Sequence, residues 1–106
     1  MVLFTNELKE MFKDFPLYSQ EKEKDPLVIA KMFDPCGSAT WFITELDTDT
    51  QIGFGFVTGL LADELGYVSI KELQELKRPF GLTIERDLDF RAKRLSIAKT
   101  QHALTH

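Results

Sequence analysis

The chain reads as an α+β protein, a mainly antiparallel meander with an N-terminal helix and a short capped helix near residues 70–77. Three observations carry this. Apolar residues recur at helical spacing over residues 5–15, the period shortens to strand-like runs from Leu27 onward, and turn residues punctuate those runs at hairpin intervals.

In the first segment Leu8, Met11, Phe12 and Phe15 share one helical face, and Lys9, Glu10, Lys13 and Asp14 the other. Thr5 or Asn6 can cap it and Pro16 stops it. The polar, sign-alternating run from Ser19 to Asp25 is expected to be an exposed, mobile connection. Residues 27–33 have the length and branching of a buried strand, and Asp34-Pro35-Cys36-Gly37 matches a type I turn. Residues 39–46 return, residues 47–50 turn again, and residues 51–57 form the third strand, with Ile52, Phe54 and Phe56 expected inward. Gly53 and Gly55 leave the opposite face bare, so another element can approach closely.

Residues 59–66 carry no decisive pattern, and Tyr67-Val68 suggests a short strand. Ser69-Ile70-Lys71-Glu72 fits a capping box, with Ile70, Leu73 and Leu76 inward and Pro79 ending the helix. Alternation over residues 82–90 predicts a half-buried strand interrupted by Arg86. Trp41 or Phe42, Phe54, Phe56, Leu73 and Leu88 are the expected core. One domain spans residues 1–106, and the basic tail from about residue 91, with Arg91, Lys93, Arg94 and Lys99, is expected to be loosely held.

Composition narrows the function classes. With 43% hydrophobic and 28% charged residues the chain is a folded protein and not a disordered acidic tail. A single Cys36 cannot form an internal disulfide, and Met1-Val2-Leu3-Phe4 runs at once into polar residues, so a cytoplasmic protein is expected, without signal or membrane span. The charge is uneven: residues 32–70 hold Asp34, Glu45, Asp47, Asp49, Asp63 and Glu64 and no Lys or Arg. Such a one-signed stretch steers encounter with a cationic partner over about 8 Å at physiological salt.

No residue pattern specifies a reaction. His102 and His106 lie in the final five residues, where no scaffold is expected to hold a general base. Cys36 stands in a turn with no neighbouring His. Asp47-Thr48-Asp49 opens like a calcium loop, but Ile52 and Thr58 occupy the positions that need Gly and Glu. The glycines from Gly53 to Gly59 do not match phosphate-loop spacing, and one Cys with two terminal His cannot supply a zinc site. The chain is therefore expected to be no enzyme and to need no cofactor or metal, and Glu45, Asp47, Asp49, Asp63 and Glu64 are the expected partner-binding residues.

Several stretches together resemble a known family. Pro16 to Glu21, Trp41 to Asp47, Phe54 to Gly59, Glu64 to Ile70, Glu72-Leu73 and Ile84 to Phe90 are similar to a family of small uncharacterised domains on conjugative plasmids, integrated elements and phages. The resemblance covers about residues 5–90 and brings no catalytic motif with it. It implies a setting on mobile DNA, and the chain looks like a candidate for the anti-CRISPR proteins recovered from such elements. The expected partner is then a host defence nuclease, RNA-guided, whose basic groove the acidic surface would occupy. The alternative is an accessory factor of plasmid transfer that binds nucleic acid through Arg91, Lys93, Arg94 and Lys99.

Overall fold

The computed structural model describes residues 1–105. The first helix, α1, spans Asn6–Met11, with the Thr5 side chain accepting a hydrogen bond from the Leu8 amide. It stops short of the expected Phe15, and the chain turns through Phe12 so that the Phe15 amide bonds the Phe12 carbonyl.

The expected strand over 27–33 is broken at Ile29 into β1, Leu27–Val28, and β2, Ala30–Phe33. The next strands are β3, Thr40–Leu46, β4, Ile52–Thr58, and β5, Glu64–Ser69. Helix α2 covers Ile70–Glu75, capped by Ser69, whose hydroxyl accepts from the Glu72 amide. Two-residue strands follow, β6 at Glu85–Arg86 and β7 at Lys93–Arg94, before helix α3 at Leu95–Thr105. The main sheet is antiparallel with order β5-β4-β3-β2-β6, and β1 pairs with β7 separately. The meander is as the turn spacing predicts.

Four expectations change. Residues 82–90 do not form one strand: Pro79–Gly81 make a 3₁₀ turn, and the Asp87 carboxylate accepts from the Asp89 amide while the Phe90 amide bonds the Asp87 carbonyl. A side chain that bonds its own backbone competes with the ladder, so pairing ends at Arg86 and Leu88 is left exposed instead of in the core. On β4 the buried residues are Gly53 and Gly55, while Ile52, Phe54 and Phe56 are half-buried. The expected inward face is the partly covered one.

The polar connection is the exposed loop expected, except that Gln20 is buried and anchors it. Buried Gln20 donates from its amide nitrogen to the Leu27 and Thr44 carbonyls, each at 2.8 Å, and its oxygen accepts from the Leu27 amide at 2.7 Å. Finally, the tail expected to be loose forms β7 and α3. Asp25 clasps its start, accepting from the Ser96 amide at 2.9 Å and the Ser96 hydroxyl at 2.6 Å, and the hydroxyl bond chiefly holds the Asp25 carboxyl below its ordinary range.

Two apolar clusters result among the described residues. The larger joins Leu3, Leu8, Phe12, Met32, Trp41, Ile43, Leu46, Ile70, Leu73 and Ile84, and the smaller joins Val28, Phe42, Leu95 and Ala98 with Phe56 and Phe90 against it. Arg86, the residue that interrupts the apolar pattern, is buried and pairs with Glu7 at 2.9 Å. No helix among the described residues is long and apolar enough to cross a membrane.

Candidate functional site: the acidic end of the sheet

The five expected partner-binding residues do not form one surface. Glu45 is 4% exposed. A register shift between Ile43 and Glu45 bulges β3, and the Glu45 carboxylate accepts from the Tyr18 amide at 2.8 Å and the Gln20 amide at 2.9 Å. It is a structural anchor for the connection after α1. Glu45→Ala should lower stability by about 2 kcal/mol, because one buried and one partly buried amide lose their acceptor; denaturant unfolding of the variant measures this, and a change below about 0.5 kcal/mol would contradict it.

Asp47 and Asp49 lie in the turn between β3 and β4. The Asp47 carboxylate accepts from the Asp49 and Thr50 amides, and the first of these chiefly holds its carboxyl below the ordinary range. Asp63 and Glu64 lie at the other end of β4, a strand whose seven residues span roughly 20 Å. Asp34 is at that same end, since Phe33 pairs with Thr40 and Thr40 with Thr58, but it is matched by Arg78 at 2.9 Å. The acidic stretch is therefore split: Glu45 is withdrawn, Asp34 is neutralised, and two separate pairs remain.

Asp63 is fixed where it stands. Its carboxylate accepts from the Thr58 hydroxyl at 2.8 Å and the Gly59 amide at 3.3 Å, which closes the loop between β4 and β5. That loop lifts Leu60 and Leu61 into solvent, and β5 adds exposed Leu65 and Tyr67. Tyr67 meets Phe54 edge-on at 5.1 Å, and its hydroxyl is held above the ordinary range chiefly by its hydrogen bond with Tyr18, itself exposed. Beside β5 runs a groove of about 650 Å³ lined by Trp41, Val57, Leu60, Leu61 and Gly66, with Glu64 at its margin. Sequence reasoning left this stretch open. The available signal was Leu60-Leu61-Ala62 between two turn residues, apolar side chains that the core does not use.

The basic tail is engaged with the fold itself. Arg91 donates to the Leu88 and Phe90 carbonyls and Arg94 to the Asp25 carbonyl. Lys93 sits over Phe90 at 4.8 Å and Lys99 over Phe56 at 4.3 Å. His102, expected to be unheld, is carried by α3 with its ring edge-on to Phe42 at 5.5 Å, whereas His106 lies outside the described residues. His102 also borders a second cleft, about 720 Å³, with Lys31, Thr40, Thr58 and Asp87, where Lys31 and Asp87 approach to 3.8 Å.

Neither the curated proteins nor the solved structures contain a match to this sequence. A family model does match, over residues 2–103, and so takes in α3 as well as the sheet. The chain belongs to that family, DUF2958, described as a protein of unknown function.

Proposed function

We propose that the chain is a non-catalytic, cytoplasmic accessory protein of mobile DNA that blocks a host defence nuclease, in the manner of anti-CRISPR proteins, by occupying its basic nucleic-acid groove. The observation that carries the reading is the meeting of Glu64 with exposed Leu60 and Leu61 around one groove, next to Asp63 in the loop that closes that end of the sheet. Apolar contact area with a charged margin is the make-up of a protein-binding surface, and larger exposed apolar patches mark interaction sites. An RNA-guided nuclease offers the complementary charge, because its heteroduplex channel must be positive. The resemblance to domains of plasmids and phages supplies the setting.

Charge reversal tests this. Asp63→Lys with Glu64→Lys should weaken capture of a purified RNA-guided nuclease by on the order of 10-fold or more, mainly through slower association at low salt. Asp47→Lys with Asp49→Lys should matter less, and Arg91→Glu with Arg94→Glu least. The reverse ranking, with the tail essential and gel shifts of free DNA by the protein itself, would favour the accessory factor that binds nucleic acid.

A further inference from the structure

We infer that β5 is a strand-accepting edge: it takes an extended, basic segment of a partner protein as a sixth strand of the sheet and receives one of that segment's apolar side chains in the groove beside Gly66. The inference rests on the reading of a cationic protein partner and adds how that partner is held.

β5 ends the sheet order and pairs with β4 without interruption from Glu64 opposite Val57 to Ser69 opposite Ile52. The Ile70 amide donates to the Gln51 carbonyl, which fixes the phase of the ladder. Hydrogen-bonded and non-bonded pairs alternate in an antiparallel ladder, so Glu64, Gly66 and Val68 bond to β4, while Leu65 and Tyr67 turn their N–H and C=O groups outward. Proteins usually blunt such an edge with Lys, Pro, a bulge or extreme shortness. The opposite edge, β6, has only two residues and carries inward-pointing Arg86. β5 has six residues with no Lys, Pro or bulge, and its one charged residue, Glu64, is the first.

Gly66 points to a ligand as well. Its backbone is not in the left-handed region, so conformation does not demand glycine, and a Cβ built there meets no atom within 4 Å. What the missing side chain leaves is the open groove, through which a residue on an added strand would reach Trp41, Val57, Leu60 and Leu61. Main-chain bonds supply affinity in strand addition and such a side-chain pocket supplies specificity. Asp63 and Glu64 stand at the start of β5, and Arg78, placed at that same end, is already matched by Asp34, so that end favours Lys or Arg on the incoming strand. A second copy fits poorly. Antiparallel self-pairing centred on Gly66 sets glycine against glycine and leaves the groove empty.

The test is a selection of random 12-residue peptides displayed on phage against the full chain, followed by titration of one synthesised winner. Trp41 is the only tryptophan, so its emission reports the groove directly. Enriched peptides should carry net positive charge and alternating apolar residues, shift Trp41 emission, and lose affinity at least tenfold to Leu65→Pro and to Gly66→Val. Leu65→Pro removes an outward N–H without touching the β4 ladder, and Gly66→Val fills the groove on extended backbone; thermal melts establish that each variant is folded. No enrichment, binding unchanged in the folded variants, or a concentration-dependent dimer abolished by Leu65→Pro would each overturn the inference. If Glu64→Lys abolishes nuclease capture while Leu65→Pro and Gly66→Val leave it intact, strand addition falls and the acidic-surface reading stands. If the chain captures no nuclease and selects no peptide, both fall.

Discussion

Truncating Phe42 to alanine should lower the unfolding free energy by about 3–5 kcal/mol, the range for a buried aromatic. Phe42 is 1% exposed and joins the sheet to α3 through Val28, Leu95 and Ala98. Its ring has Phe56 at 6.4 Å, His102 edge-on at 5.5 Å and the Lys31 ammonium at 5.8 Å. The smaller cluster has few large side chains, so little can move in to fill the cavity and α3 should loosen with the loss of its main support. Urea unfolding followed by far-UV circular dichroism measures the change. A loss under about 1 kcal/mol would mean that α3 is not docked on this ring.

Gly55→Ala should cost on the order of 3 kcal/mol, at the upper end of ordinary overpacking. A Cβ there would stand 2.0 Å from the Phe42 carbonyl oxygen and 2.9 Å from the Ile43 Cα, both backbone atoms of the neighbouring strand. No rotamer change relieves such a clash, so β3 itself must shift at the bulge that carries Glu45. The control lies one strand away: Gly66→Ala, with open space around it, should be neutral or slightly stabilising because glycine is a poor strand former. Equal melting temperatures for the two variants would show that β3 does not approach Gly55 as described.

These two sites also show what could be read in the sequence. The close approach at Gly53 and Gly55 was legible as spacing, and the atoms that approach belong to β3, the paired neighbour in the same sheet. The turns at Asp34 to Gly37 and after Asp47, and the Ser69 cap, were legible because each depends on side chains bonding backbone within three residues. What was not legible depends on distant partners. The ordering of α3 rests on Asp25, some 70 residues away in sequence, and on a sparse face of Leu95, Ala98 and His102 that carries little apolar periodicity. Burial of Glu45 needs the Tyr18 and Gln20 amides, which only the fold brings to it. Of the acidic stretch, Asp63 and Glu64 remain at a surface that also offers apolar area and a free strand edge. Leu60 and Leu61 mark that surface in the sequence, as apolar residues in a turn region.

Competition for nucleic acid distinguishes occupation of the nuclease groove from binding elsewhere. Labelled DNA target is bound to a purified RNA-guided nuclease with its guide, and its anisotropy is followed as the protein is added. With groove occupation, anisotropy falls toward that of free DNA, the Asp63→Lys, Glu64→Lys double variant loses the effect, and the protein alone leaves DNA anisotropy unchanged. A rise in anisotropy with protein and DNA alone, or displacement from the nuclease that the double variant retains in full, would contradict it.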